Sequence, residues 1–319
     1  MVSKRPENNL KLALHNYFET SHCVLTRSGS IAIILAMQVY DLAIGSEVIV
    51  PASCCPIVMY ALQMAGYQVV LADVDTATLN SDVSHIKSVY TNQTRAILAV
   101  HAYGRVGDIS NILSFAAQAG IVVIEDACLG YGGRFEGKPI GRLADISVIS
   151  FGYDKPIDFG IGGALLLNDK QMRDKAERLL KENKFFQMPD SEHMLTSITD
   201  ALLALPLLTE QRIENVKLVD ANVSNPLFSK LRMPYQVNYW RYPLFIQPCL
   251  RARFITYAKT RGQVFTCHFQ SLGKLLTHST VPNADYIGES IINLFVKPSV
   301  SESQLLKMTS IVNEFHDDA

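Results

Sequence analysis

The chain has 319 residues, 48% of them hydrophobic and only 18% charged, with a formal net charge of −1. That balance supports a large buried core and excludes a disordered chain, and near-neutrality argues against a dedicated nucleic-acid or membrane surface. The length fits two domains, or one large domain with a smaller one appended. The six cysteines, Cys23, Cys54, Cys55, Cys128, Cys249 and Cys267, are scattered without CxxC spacing. This favours free thiols in a reducing compartment over a disulfide frame or a zinc site. The first nine residues are polar, with no apolar signal segment, and no run approaches a membrane span. The expectation is a soluble cytoplasmic protein.

Residues 5–19 read as a short amphipathic helix with Leu10, Leu12, Leu14 and Phe18 among charges. Residues 31–40, apolar on nearly every side, read as a buried helix preceded by Arg27-Ser28-Gly29-Ser30. Small residues before a helix leave its first N–H groups free for an anion such as phosphate. Plain N-capping by Ser28 or Ser30 explains the same residues. A strand at 47–51, a helix at 56–65 opened by proline and a strand at 68–72 follow. Next come a helix near 82–89, a strand at 96–100, a helix at 108–119 and a strand at 121–125 ending at Asp126. Strands alternating with helices predict a parallel, helix-covered sheet, with ligands bound beyond the carboxyl ends of its strands.

Residues 134–141 read as a surface hairpin. The apolar run 146–149 then delivers Ser150 and Phe151 to a sheet edge, and Lys155 follows in a short turn before Gly160, Gly162, Gly163 and a second apolar run. Between two buried strands Lys155 is either a turn residue facing water or a nucleophile held in a pocket. A charged helix to about residue 184 precedes a leucine-rich helix over 195–223, interrupted near Pro206. Asn225-Pro226 marks a boundary. Beyond it, strands at 242–246 and 263–268 flank a helix at 250–261. The final helix opens with a capping box, Ser301 and Gln304, and presents Leu305, Met308, Val312 and Phe315 on one face.

Several ordered stretches are recognisable. They are Ser28-Gly29-Ser30; Gly45-Ser46-Glu47-Val48-Ile49-Val50-Pro51; Ala72-Asp73-Val74-Asp75 with Asn80 and Asp82; Val100-His101-Ala102-Tyr103-Gly104; and Val123-Ile124-Glu125-Asp126-Ala127. The last leads to Ser150-Phe151-x-x-x-Lys155 and Gly160-x-Gly162-Gly163. With them the chain resembles the DegT/DnrJ/StrS sugar aminotransferases, which are fold-type-I pyridoxal-phosphate enzymes. The match is dense over residues 24–170, weak over 180–235 and moderate to the C-terminus. The resemblance implies an α/β protein. A large domain (1–224) would hold a mostly parallel sheet of the seven-stranded type, and a smaller α/β domain (225–319) would follow.

It also implies a cofactor, pyridoxal 5′-phosphate, and roles for named residues. Lys155 would form the Schiff base and shuttle the proton, and Asp126 would pair with the pyridinium nitrogen. Gly29 and Ser30 would offer N–H groups and Ser150 a hydroxyl to the phosphate, with Ser28 also at the cofactor. Cys55 and Leu129 occupy two further cofactor-contact positions and depart from the pattern. The family places an aromatic residue near Cys55 and a glutamine or histidine at 129, and the segment 192–200 lacks the asparagine and arginine lent between subunits. The implied partners are an amino donor such as glutamate, a nucleotide-linked keto-sugar, and a second copy completing a shared active site in a homodimer. The implied setting is surface polysaccharide or secondary-metabolite sugar biosynthesis. The departures leave a second reading, a member that binds pyridoxal phosphate or a sugar nucleotide without efficient transamination. Racemases and lyases also need the lysine. A dinucleotide-binding dehydrogenase is disfavoured, since Gly160-x-Gly162-Gly163 precedes a strand and not a helix.

Among other polar residues, His101 and Tyr103 are candidates for ligand contact or for structural roles, and Arg241 and Arg251 for phosphate contact or plain surface positions. Cys267 and His268, adjacent on a predicted strand, would point to opposite faces and not act together.

Overall fold

The computed structural model describes residues 6–232, 237–276 and 279–317. Helix α1 (Pro6–Phe18) leads to strand β1 (His22–Thr26), helix α2 (Gly29–Val39) and strand β2 (Glu47–Pro51). Helix α3 (Pro56–Met64), strand β3 (Gln68–Ala72), helix α4 (Val83–Val89) and strand β4 (Thr94–Val100) continue the alternation, followed by α5 (Ile109–Ala119) and β5 (Val122–Asp126). A small hairpin, β6 (Arg134–Phe135) and β7 (Lys138–Pro139), precedes the buried strands β8 (Ile146–Ser150) and β9 (Gly163–Leu167). These strands form one seven-stranded sheet in the order β1-β9-β8-β5-β4-β2-β3. The pairs β8–β5, β5–β4, β4–β2 and β2–β3 are parallel, and only β9 runs against its neighbours β1 and β8.

Two-residue periodicity puts alternate side chains of this sheet into different apolar clusters. Val48, Val50, Leu98, Val100, Ile124 and Val148 pack with Ile33, Leu35 and Met37 of α2. Ile49, Ile97, Ala99 and Val123 pack instead with Ile109, Ile112 and Ala116 of α5. Burial on both faces explains why these strands read as continuous apolar runs. Of the apolar residues expected in α1, Leu10, Leu14 and Phe18 are buried, whereas Leu12 is half exposed. Residue 5, assigned to the start of that helix, lies outside the described residues.

Helix α6 (Lys170–Glu182) is followed by α7 (Glu192–Asn222), 31 residues long. The expected interruption at Pro206 is absent, and the helix runs through it. Proline removes one backbone donor and costs about 3 kcal/mol in a helix interior. Burial of Leu195, Ile198, Leu202 and Leu205 in the cluster that holds α1 offsets that cost at roughly 1.5–3 kcal/mol per side chain.

The C-terminal part contains β10 (Phe228–Lys230), β11 (Tyr242–Ile246), α8 (Pro248–Thr260), α9 (Pro282–Ser290), β12 (Ile291–Leu294) and α10 (Glu302–Asn313). Its sheet is antiparallel throughout, in the order β10-β11-β12. The strand expected at 263–268 is not formed, and only a single bridge, Thr266 to Asn293, marks its path. The strand that pairs with β11 is β12, hidden in sequence because it follows α9 without a turn signal. Helix α10 carries the expected capping box, and Leu305, Met308, Val312 and Phe315 are all buried. The apolar clusters run across position 224: α1 and α7 share one with Phe228, Phe254 and Phe315, while α2 shares another with Trp240, Phe245 and Phe269.

Candidate active site

The carboxyl ends of β1, β4, β5 and β8 point to one side of the sheet, and a cavity of about 200 Å³ opens there. All eight residues singled out in the sequence line it: Ser28, Gly29, Ser30, Cys55, Asp126, Leu129, Ser150 and Lys155. They come from four separate connections, those that follow β1, β2, β5 and β8. Among residues not singled out, Cys128 and Phe269 also line it, and Val100, Ile33 and Val58 supply apolar wall.

One wall is the start of α2. Ser28 has extended backbone geometry (φ −162°), and its hydroxyl accepts from the Ile31 N–H at 3.2 Å. Ser28 therefore does cap the helix, as the simpler sequence reading had it. Glycine is required at position 29. A Cβ there would lie 2.9 Å from Ser150 Cβ and 3.0 Å from Cys128 Sγ. The same close approach appears at Gly163, where a Cβ would meet the Gly29 nitrogen at 2.8 Å. The glycines after Lys155 thus let β9 pass directly behind the helix start.

The opposite wall is the end of β5. Asp126 is almost wholly buried and accepts from the Cys128 N–H at 3.0 Å. Burial of a carboxylate costs several kcal/mol unless charge or hydrogen bonds compensate, so the site favours a cationic guest here. Burial likewise pushes the Cys128 thiol well above its usual range, with the Asp126 charge adding to the effect, which keeps it a neutral thiol.

Lys155 is half-buried in the turn between β8 and β9. The turn is pinned at both ends by the buried Tyr131. Its hydroxyl donates to the Ser150 carbonyl at 2.9 Å and accepts from the Ile157 N–H at 2.9 Å. The Ser150 hydroxyl accepts from the Gly152 N–H at 3.1 Å, and the Phe159 N–H reaches the Phe151 carbonyl at 2.8 Å. Lys155 thus stands on a turn whose ends are fixed by buried hydrogen bonds.

Phe269 reaches the cavity from the C-terminal part and stacks on Trp240, with ring centroids 5.3 Å apart and planes 8° from parallel. No local sequence signal marks it, because its place in the wall depends on a contact across roughly a hundred residues of chain. The other candidates lie elsewhere. His101 is buried and its Nε2 lies 3.0 Å from Glu125 Oε1, behind the strand end and outside the cavity lining. Tyr103 is fully buried, packed against Trp240 and Phe269, and its hydroxyl donates to the His268 carbonyl. Arg251 donates to the Gly288 carbonyl. Arg241 is buried and paired with Asp154, so neither arginine is the free surface cation that the sequence suggested. Cys267 and His268 lie in an irregular segment, so strand alternation does not apply to them.

Comparison with known proteins agrees with this geometry. The chain matches the DegT/DnrJ/EryC1/StrS aminotransferase family over residues 5–313. It is similar to GDP-perosamine synthase of Escherichia coli O157:H7, 26% identical over 97% of this chain and 89% of that protein. It is also similar to a pleiotropic regulatory protein of Geobacillus stearothermophilus, 26% identical over 94% of this chain and 86% of that protein. In fold it resembles NtdA of Bacillus subtilis, crystallised with bound pyridoxamine phosphate (PMP), at a TM-score of 0.87. The identity is 19%, over 98% of this chain and 78% of that one. Pyridoxal phosphate is the cofactor of this family, and the cavity fits it: a helix start closed to any side chain at Gly29 suits a phosphate, and a buried carboxylate suits a pyridinium. From residue 5 to residue 313 the chain belongs to the DegT/DnrJ/EryC1/StrS aminotransferase family of pyridoxal-phosphate-dependent transferases.

Proposed function

We propose that this aminotransferase moves an amino group from an amino acid, glutamate in our reading, to a keto-sugar carried on a nucleotide. The product would serve surface-polysaccharide or secondary-metabolite sugar biosynthesis. The observation that carries the reading is the convergence of Lys155, Asp126, Ser150 and the α2 start on one cavity. Bound pyridoxal phosphate supplies an electron sink for the carbon that loses or gains the amine. In our reading Lys155 Nζ holds that group and moves the proton, and Asp126 keeps its ring nitrogen protonated. The N–H groups of Gly29 and Ser30, with the Ser150 hydroxyl, hold its phosphate. Ile33, Val58, Val100 and Phe269 exclude water and so strengthen each of these charge interactions. Phe269 supplies the aromatic wall missing at Cys55, while Leu129 leaves the cofactor hydroxyl without a partner at that position.

At about 200 Å³ the cavity is smaller than the roughly 300–1,000 Å³ of drug-sized sites. It suits one small cofactor, with the sugar nucleotide lying toward the mouth. A homodimer is part of the same reading. Ile57, Tyr60 and Met64 form an exposed stripe at helical spacing on α3, beginning at the cavity lining, and Tyr153 next to the lysine turn is also exposed. We take residues 1–224 and 225–319 as the two domains. A cytoplasmic location is supported by six unpaired cysteines, and no helix among the described residues is long and apolar enough to cross a membrane.

The purified protein given pyridoxal phosphate is expected to develop a visible absorption band that Lys155→Ala abolishes. Glutamate should discharge the band in a single turnover, and a nucleotide-linked keto-sugar should restore it. A wild-type protein that never develops the band would overturn the reading. A band that glutamate and other amino donors leave unchanged would favour a binding or regulatory member, the reading suggested by the Geobacillus relative's name.

A further inference from the structure

Arg241 is buried among apolar residues, its side chain 3% exposed, and its guanidinium carbon lies 4.6 Å from the Trp240 ring centroid and 4.1 Å from that of Phe295. A buried guanidinium costs several kcal/mol unless it is paired. Its partner is the carboxylate of Asp154, the residue directly before Lys155. Asp154 has φ +59°, a left-handed conformation that non-glycine residues adopt uncommonly. Its carbonyl accepts the Trp240 indole N–H at 2.7 Å, and its own N–H donates to Asp158 at 2.8 Å. One residue of the turn is thereby held at its side chain, its carbonyl and its amide. Trp240 in turn carries Phe269, the aromatic wall of the cavity, on its face.

We propose that Trp240 and Arg241 are positioning residues that clamp Asp154 and so fix the direction in which Lys155 enters the cavity, in register with the Phe269 wall. This rests on the reading of Lys155 as the cofactor lysine. The physical case is that Tyr131 fixes the turn only at Ser150 and Ile157, and that within it Asp154 is held locally by a single bond, from its N–H to Asp158. A left-handed residue beside the lysine reorients the following side chain if it relaxes to the ordinary region. The indole donor and the guanidinium hold it against that relaxation at two separate atoms. Because both come from the segment leading into β11, the C-terminal part sets the geometry of a lysine carried by the large sheet.

The test uses two mild variants. Trp240→Phe deletes the indole N–H and keeps an aromatic ring against Phe269. Asp154→Asn removes the charge while retaining a residue that tolerates the left-handed backbone. With pyridoxal phosphate added to cofactor-free protein, each variant should form the visible band about tenfold more slowly, the factor expected for one hydrogen bond of this kind. Each should also show reduced visible circular dichroism, which reports the asymmetry of the bound cofactor. The double variant should lose less than the sum of the singles, since both act on one residue. The cofactor-free Asp154→Asn protein should melt below wild type, since Arg241 is left buried without its counter-charge, so rate and dichroism are compared at a temperature where both proteins are folded. Asp154→Asn carries the test alone if Trp240→Phe does not fold. Wild-type rate and dichroism in the variants would overturn the clamp while leaving Lys155 as the cofactor lysine. Absence of the band in wild type as well would overturn both.

Discussion

Glu125 and Asp126 are neighbours on β5, and strand alternation sends their side chains to opposite sides. Asp126 lines the cavity. Glu125 is fully buried and receives the Gly141 N–H at 2.7 Å, the Leu143 N–H at 2.8 Å, the Ser147 hydroxyl at 2.5 Å and His101 Nε2 at 3.0 Å. Burial pushes its carboxyl up, but the bonds to His101, Ser147 and Gly141 outweigh this and hold it below the ordinary glutamate value of 4.5. A carboxyl lowered on folding contributes stability above its unfolded value, and that contribution is lost as pH falls through the folded one. Glu125 therefore stabilises the protein fully at neutral pH and fails it below the 4.5 of the unfolded chain. Glu125→Gln should lower the unfolding free energy at neutral pH by about 3 kcal/mol, since its amide would face backbone donors. It should also flatten the acid limb of stability, as read from urea midpoints between about pH 7 and about pH 3. His101 was legible in the sequence as a polar residue at a strand end. Its role was not, because the partner that occupies it lies on another strand.

At the scale of elements, the start of α2 is the part of the site most exposed to a single methyl group. Gly29→Ala puts a Cβ against Ser150 and Cys128 at about van der Waals overlap. The expected cost is about 1–3 kcal/mol in stability, together with weaker retention of pyridoxal phosphate. Thermal unfolding and equilibrium dialysis measure the two effects separately. Unchanged cofactor affinity would remove this helix start from the phosphate role. The α/β alternation itself was plain from the sequence: the strand at 47–51 and the strand at 68–72 are found where the apolar runs end. Tertiary packing outweighed local preference at two places. Pro206 argues for a break, yet α7 continues because its leucines are buried against α1. Residues 263–268 have strand composition, yet β12 takes the place beside β11.

At the scale of the whole molecule, the cavity lies where the large sheet meets Phe269 and Trp240 of the C-terminal part, and the exposed stripe of α3 starts at its edge. The homodimer we propose should sediment as a single species of twice the chain mass. The paired substitution Tyr60→Glu with Met64→Glu should shift it to monomer, by placing two desolvated like charges in the contact. A dimer unaffected by the pair would move the interface away from α3. The amino-acid order alone marked the parallel strands of the large sheet and the polar residues at their carboxyl ends, because apolar runs, helix starts and turn chemistry are local properties. It placed Lys155 in a turn between two buried strands, but it left open whether that lysine faced water or a pocket. Only the folded chain decided that Phe269 lines the cavity, that Arg241 pairs with Asp154, and that Tyr131 and Trp240 bond to the lysine turn. Each of these is a contact between segments far apart in sequence, whose energy exists only once the sheet and the C-terminal part are packed together.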